Sequence, residues 1–180
     1  MKSRFILLLA IASMFAFQGC DENLLDITEE FYYENEMTVF TTDSVMMTVN
    51  IVDMTDESSI INDYKDKIQT VEITQVKYWI TVHEGDDDQE IIESTLKVAA
   101  ADGSGEELIA TIENQVLNNI IGEENAQDLV VQQVGVDQMA NLIKNDPYTF
   151  QLIFNTACNK APLNFTVRFQ FKVKLVANPL

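Results

Sequence analysis

Side chains that could carry out chemistry are scarce in this chain, and the single histidine, His83, limits them most. A zinc site or a serine triad needs histidine with suitably spaced partners, and neither His-Glu-x-x-His nor Gly-x-Ser-x-Gly occurs. The 29 acidic residues could supply a carboxylate pair for glycoside hydrolysis, but that chemistry depends on their separation in space. We therefore predict no catalytic residue and no cofactor.

Carboxylates are most concentrated in the segment from His83 to Glu90, between two predicted strands. Asp86, Asp87 and Asp88 are the candidate metal ligands there, because calcium prefers roughly six to eight oxygen ligands. The other interpretation is a solvated hairpin loop, since Gly85 and the aspartates are typical of turns. The Asp-x-Asp-x-Asp-Gly pattern of a calcium loop is missing, so the sequence favours the hairpin and no bound metal.

Four residues form a candidate partner surface: Trp79, Arg168, Lys172 and Lys174. The three basic residues share one face of a predicted strand, where they could meet an acidic partner or pair with acids across the sheet. Trp79 has the outward parity of its own predicted strand. It could stack on a sugar or a protein, or lie half covered in the core.

The N-terminus has the layout of an export signal. Lys2 and Arg4 precede an apolar run over residues 5–17, which contains one hydroxyl group and ends shortly before Cys20. A membrane-spanning helix needs about 18 or more apolar residues, so this run is too short to span. The pattern predicts a signal peptide over residues 1–19.

The end of that segment, Phe17-Gln18-Gly19-Cys20, resembles the lipobox of bacterial lipoproteins and is followed at once by Asp21 and Glu22. Gly19 fits the small residue before the cut, whereas Gln18 and Phe17 depart from the usual Ala or Ser and Leu. Boxes followed by acids are similar to those of Bacteroidota lipoproteins. The resemblance implies acylation of Cys20 and a membrane anchor in the outer membrane, at the cell surface or on the periplasmic face.

Acylation of Cys20 would leave Cys158 without a disulfide partner, because the chain has two cysteines. A lone cysteine in an exported protein is either a reactive thiol or a small buried apolar residue. No histidine lies near Cys158 in the sequence, which favours the buried interpretation.

The chain is strongly acidic, with a formal net charge of −18. Cleavage after residue 19 would remove Lys2 and Arg4 and no acid, which lowers the charge to −20. Nucleic acid would repel such a chain, so this class of partner is excluded. A protein or glycan partner of unknown identity remains open.

Alternation of apolar and polar residues predicts several strands. From Phe165 to Leu175 every odd position is apolar and every even position is polar, which indicates a strand with one buried face. Between Val71 and Val82 the phase changes near Thr74, which predicts a β-bulge. Further predicted strands are Val45–Ile51, with apolar residues at its odd positions, Ile91–Ala100, Leu129–Val134 and Tyr148–Phe154.

Two or three helices are predicted between the strands. Ser104 and Glu107 have the spacing of a capping box before a helical apolar period from Leu108 to Ile120. The second helix begins near Asp137 and ends before Pro147. The third, weaker in pattern, covers residues 56–68.

Mostly antiparallel strands with two or three short helical crossovers indicate an immunoglobulin-like β-sandwich. The whole layout resembles immunoglobulin-like lipoproteins of Bacteroidota whose role is unknown. We expect a signal peptide over residues 1–19, an acidic tether over 20–36 and a single sandwich domain over 37–180. The aromatic group at 31–33 offers an alternative, in which it packs on the domain as its first ordered segment.

The favoured function is a non-enzymatic binding or structural role at the membrane. Two alternatives stay open. The first is a carbohydrate-handling accessory protein or small hydrolase that uses surface carboxylates, and the second is a calcium-stabilised adhesion module. A pocket with two carboxylates of raised pKa would favour the hydrolase, and an exposed apolar patch on a convex sandwich would favour adhesion.

Overall fold

The computed structural model describes residues 26–178, which form two packed antiparallel β-sheets with short helices between the strands. The strands are β1 (Ile27–Thr41), β2 (Val45–Asp53), β3 (Ile68–His83), β4 (Glu90–Ala100), β5 (Glu107–Val116), β6 (Gln127–Asp128), β7 (Thr149–Cys158) and β8 (Leu163–Ala177). The helices are α1 (Met54–Glu57), α2 (Ser59–Tyr64) and α3 (Gln133–Lys144), with 3₁₀ turns at Lys65–Lys67, Leu117–Ile120 and Glu123–Asn125. Within residues 26–178 each helix is too short or too polar to cross a membrane.

The strand order is that of a hairpin rolled into a sandwich. One sheet has the order β1-β8-β3-β6 and the other β2-β7-β4-β5, so that β1 to β4 pair in turn with β8 to β5. The additional pairs β3·β8 and β4·β7 close the roll. This is the eight-stranded jelly roll. The predicted antiparallel β-sandwich is confirmed, and its strand order is the jelly roll's rather than that of immunoglobulin domains.

Strand β8 is the centre of the first sheet, as its alternation predicts. Its odd-numbered residues from Leu163 to Ala177 are all fully buried. Phe169 packs edge-on against Phe154 of the opposite sheet, with ring centroids 5.4 Å apart. Each such side chain contributes about 1.5–3 kcal/mol by leaving water. The two sheets are therefore held together by an aromatic layer that β8 supplies.

The predicted bulge in β3 is confirmed. The register of β3 against β8 shifts between Ile73 and Gln75, where one extra residue of β3 is accommodated. Past the shift, Val76, Tyr78 and Ile80 face the core. The change of phase in the sequence therefore records a local kink that returns the apolar residues to one side.

The predicted tether is wrong over residues 27–36, which belong to β1. This strand pairs with β8 at every position from Ile27 to Thr41. Tyr33 is buried and stacks on Phe171 with a centroid distance of 5.7 Å, in agreement with the alternative interpretation of the aromatic group. The acidic composition of this segment indicated a tether, but the acids occupy the outer face of β1 and pair with basic residues of β8.

The predicted helix over residues 108–120 is also wrong, because this segment forms β5 and a 3₁₀ turn. Gly103 and Gly105 have φ angles of 84° and 64°, so the chain between β4 and β5 reverses in a tight hairpin. Ser104 donates to Asp102 within this turn instead of capping a helix. Pairing with β4 overrides the local helical period of the apolar residues.

The predicted helix near Asp137 is confirmed, and it begins earlier, at Gln133. Its first turn lies close to β5, because a Cβ on Gly135 would come within 2.1 Å of the Leu108 carbonyl oxygen. The predicted strand over residues 129–134 is wrong, since these residues make one isolated bridge and then enter α3. The predicted helix over residues 56–68 is broken into parts of α1, α2 and a 3₁₀ turn.

Candidate binding surface

A row of apolar side chains lies exposed on the outer face of β2. Val45, Met47, Val49 and Ile51 are 62, 63, 41 and 69 % exposed. The even-numbered residues of β2 face inward instead, and Val52 among them is buried. The strand predicted over residues 45–51 is confirmed, and its orientation is opposite to the one its apolar pattern predicts.

The same odd-numbered residues direct their backbone groups away from the sheet. Cys158 donates its backbone N–H to Ser44, and Met54 donates to Tyr148, which fixes the even-numbered residues of β2 as those bonded to β7. The direction of the N–H and C=O groups alternates along a strand. The backbone groups of the odd-numbered residues from 45 to 51 therefore point to the open edge of β2. Within residues 26–178 no strand pairs with that edge.

The apolar row, which we call the β2 strip, consists of Val45, Met47, Val49 and Ile51. No charged residue occurs from Ser44 to Val52, and an aspartate stands at each end, at positions 43 and 53. Asp53 accepts hydrogen bonds from the Thr55 hydroxyl at 2.7 Å and from its backbone N–H at 2.9 Å. These bonds lower the pKa of Asp53, so this carboxylate stays charged at neutral pH.

An open depression lies beside the strip. It has a volume of about 180 Å³, and Val45, Glu93 and Ala157 are among the residues that line it. Pockets for small molecules usually measure roughly 300–1,000 Å³. The depression is therefore smaller than a typical small-molecule pocket.

The neighbouring edge strand, β1, is closed by side chains of β2. Asn50 donates to the Glu36 carbonyl oxygen at 2.7 Å and to Asn35 Oδ1 at 3.1 Å, and Thr48 donates to the Thr38 carbonyl oxygen. The inward-facing polar residues of β2 therefore occupy acceptors along β1. This bonding explains why two polar residues, Thr48 and Asn50, lie on the inner side of β2 between Met46 and Val52.

The basic residues predicted as a partner surface lie against acids of β1. Arg168 pairs with Glu34 at 3.1 Å and with Glu36 at 2.5 Å. Lys172 pairs with Glu30 at 2.9 Å, and this hydrogen bond and the charge of Lys172 lower the pKa of Glu30, with a smaller contribution from the charge of Lys174. The basic residues of this face thus pair with acids across the sheet, which was the second of the two interpretations of the sequence.

Trp79 is 2 % exposed, so the hypothesis of an exposed stacking residue is wrong. The guanidinium of Arg168 lies 5.7 Å from the centre of its ring. Trp79 and Arg168 are directly opposite each other in the β3·β8 register. The tryptophan is covered on the outer face of its sheet and contributes to packing there.

The acidic loop between β3 and β4 is closed by a lysine. Lys160 contacts Asp88 and lies 3.4 Å from Asp86, and its hydrogen bond lowers the pKa of Asp88. Asp87 accepts a hydrogen bond from Asn118 at 3.1 Å. In the part of the chain that the structure describes, no three His, Cys, Asp or Glu residues are arranged to hold a metal ion.

His83 takes part in the bonding of the same loop. Its Nδ1 lies 2.8 Å from Asn118 Oδ1, and its Nε2 lies 3.0 Å from Gln89 Oε1. Gln89 is buried and donates to the carbonyl oxygens of Lys160 and Pro162, both at 3.0 Å. These contacts place His83 in the network that joins this loop to the loop between β7 and β8.

The pKa of the Cys158 thiol and the pKa values of four carboxyl groups shift in opposite directions. Cys158 is buried, and burial raises the pKa of its thiol, in agreement with the interpretation as a small core residue. Cys20 lies outside the described residues. Among residues 26–178, the carboxyl pKa values that shift are those of Glu30, Asp53, Asp88 and Asp102, and hydrogen bonds lower all four.

The sequence pointed to residues 45–51 as a strand but not as a surface. The pattern that could have indicated this surface is the run Ser44–Val52. It has strong β-propensity and no charge, and an aspartate flanks it on each side. A buried strand and an open edge share this pattern. Only the partner of β2 distinguishes them, and that partner, β7, lies far away in the chain.

No family model and no curated protein matches this chain. Among solved structures, a chain from desmodium yellow mottle tymovirus is 15 % identical, with a TM-score of 0.33, over 86 % of this chain and 90 % of that one. A tobacco necrosis virus chain is 9 % identical, with a TM-score of 0.35, over 85 % and 98 %. A turnip yellow mosaic virus chain is 12 % identical, with a TM-score of 0.36, over 87 % and 95 %. Similarity this low implies nothing about the function of this chain.

Proposed function

We propose that this chain is a lipid-anchored protein of the outer membrane whose sandwich domain binds a protein partner without catalysing a reaction. The observation that carries the binding role is the β2 strip. A contiguous exposed apolar row on a soluble domain marks an interaction site more often than a chance arrangement. The leader and Cys20 carry the anchor, through their resemblance to a lipobox.

The anchor and the domain are close together in this proposal. Strand β1 begins at Ile27, so six residues, 21–26, separate an acylated Cys20 from the sheet, and the chain takes seven Cα-to-Cα steps between them. At about 3.5 Å per residue they reach at most about 25 Å. The sandwich is then held near the membrane surface, and its partner is a protein that reaches the same surface.

A non-enzymatic role is supported by the direction of the carboxyl pKa shifts. A general acid for glycoside hydrolysis needs a carboxyl group whose pKa is raised by burial or by a like charge. Glu30, Asp53, Asp88 and Asp102 have lowered pKa values, each through hydrogen bonds from a neighbour. These groups suit ion pairs and turns.

The anchor is tested by the substitution Cys20→Ala, with Cys158→Ala as the matched control. Cells that express each variant are fed an alkyne fatty acid, and the purified chains are examined for label and for membrane association. We expect Cys20→Ala to lose the label and to leave the membrane fraction, because the acylated thiol is absent. Cys158→Ala should keep both, since its buried thiol serves only packing.

Continued labelling of the Cys20→Ala chain would contradict the anchor. The side of the membrane is tested by adding a protease to intact cells. Digestion of the sandwich domain before lysis is expected for the cell surface. Protection until the outer membrane is opened would place the domain on the periplasmic face instead.

A further inference from the structure

The geometry points to strand addition at β2 as the way the partner binds: an extended segment with alternating apolar side chains and a basic residue near each end pairs with the open edge. This inference rests on the proposed binding function and specifies its partner. It combines three features of β2, which are the backbone groups of its edge, the β2 strip and the flanking aspartates.

The backbone supplies the pairing positions. Val45, Met47, Val49 and Ile51 each direct one N–H and one C=O to the open edge. A segment that aligns antiparallel to them would exchange both hydrogen bonds at each position. Addition of a strand to such an edge is a general mode of peptide recognition.

The side chains define what the added segment must carry. Residues directly opposite each other in an antiparallel pair project on the same face of the sheet. A partner residue that bonds to the backbone of Met47 therefore also places its side chain beside the exposed Met47 side chain. Apolar residues at every second position of the partner would cover the β2 strip.

The charges select basic ends. Asp43 is exposed just before the strip, and Asp53 ends β2 with a carboxylate that Thr55 keeps ionised. Lysine or arginine opposite these two positions would complement them. The uncharged run from 44 to 52 leaves the apolar and backbone contacts free of repulsion.

A second copy of this chain fits the edge less well than such a partner. Antiparallel pairing centred on Thr48 would match all four apolar residues, with Val45 opposite Ile51 and Met47 opposite Val49. The same register would place Asp43 opposite Asp53 at both ends, between two chains of formal net charge −18 or lower. Like charges placed directly opposite are destabilising.

The test uses the acylated full chain in detergent and the peptide Lys-Thr-Val-Thr-Val-Thr-Val-Thr-Val-Thr-Lys, labelled for fluorescence anisotropy. We expect saturable binding, and about tenfold weaker binding when glutamate replaces both lysines, at low salt. N-methylation of the four valines should abolish binding, because their amides face β2. N-methylation of four of the threonines, whose amides face away, should leave binding intact. Equal effects of the two modified peptides would overturn strand addition.

The substitution Val49→Lys should weaken peptide binding at least about tenfold, since it removes apolar contact at the centre of the strip. Val130→Lys is the matched control, because Val130 is exposed outside β2, and it should bind like the unmodified chain. Sedimentation of the chain without peptide measures whether it forms a dimer. A dimer that Val49→Lys dissolves, with no peptide bound, would assign the edge to a second copy. Failure of every peptide overturns this inference and leaves the acylation of Cys20 standing on its own test.

Discussion

Two edge strands, β1 and β2, meet at one corner of the sandwich and end their sheets in opposite ways. The outer face of β1 carries Glu30, Glu34 and Glu36, which pair with basic residues of β8. The outer face of β2 carries the exposed apolar strip and no charge between its flanking aspartates. Charges and covered acceptors are the usual protection of an edge against pairing with other chains. Strand β1 has that protection, and β2 lacks it.

The polar side chains that protect β1 come from β2 itself. Asn50 and Thr48 face inward and donate to carbonyl oxygens of β1, so the odd-numbered residues of their own strand, which form the β2 strip, face outward. The open edge is therefore a consequence of how this corner is bonded. At this corner, closing the edge of β1 with polar groups of β2 leaves the edge of β2 uncharged from Ser44 to Val52.

The largest expected effect comes from placing the same charge on the two strands. Val39 of β1 is fully buried, and Val49 of β2 is 41 % exposed. We expect Val39→Lys to lower the free energy of unfolding by about 3–5 kcal/mol, because it leaves a buried charge without a partner. Val49→Lys should change it by less than about 0.5 kcal/mol. Denaturation in urea, followed by tryptophan fluorescence and circular dichroism, measures both.

Equal loss of stability in the two variants would contradict the outward orientation of β2. Equal tolerance would instead contradict the burial of Val39 in β1. The pair therefore tests the comparison of the strands from both sides.

A smaller effect is expected from the bonds that close β1. Asn50→Ala removes two side-chain hydrogen bonds across the corner, and we expect it to cost about 1–2 kcal/mol, since the acceptors lose their donor. Asn155→Ala is the matched control. Its amide makes one long contact, 3.4 Å, to Thr95 on the outer face. The control should lose a few tenths of a kcal/mol.

The outcome that would weaken the comparison is an Asn50→Ala variant as stable as the control. In that case Asn50 would not seal the edge of β1. Hydrogen exchange at the amides of β1 gives a second measurement, because an unsealed strand should exchange faster in Asn50→Ala.

The residues that the sequence predicts well are those whose pattern has one physical meaning. The alternation in β8 can only be a strand between a core and a polar face, and the phase change in β3 can only be an extra residue. The helix near Asp137 also follows from its own period, although its start was misplaced. Local pattern was sufficient for these elements because their neighbours agree with it.

The misassigned elements depend on partners far away in the chain. Strand β1 has an acidic composition typical of a tether, and only the basic residues of β8 make its outer face stable. Strand β5 has helical spacing, and its pairing with β4 decides its structure. The orientation of β2 was mispredicted for the same reason, because the pattern of a single strand does not show which of its faces is covered. The candidate surface could therefore be located along the sequence but not recognised as exposed.

The smallest expected effect concerns the pH dependence of stability at the charged edge. A hydrogen bond and charge from Lys172 hold the pKa of Glu30 below its ordinary value of 4.5. A lowered pKa means that this pair stabilises the fold above the unfolded-state pKa, and that its contribution is lost as pH falls through the lowered value. Lys172→Gln should therefore be slightly less stable than the unmodified chain at pH 7 and equally stable at the acidic end. The β2 strip, which has no titrating group, should contribute nothing to this difference. Urea denaturation of the two chains between pH 7 and pH 3 measures it, and a difference that persists at the acidic end would show that Lys172 acts through packing instead of charge.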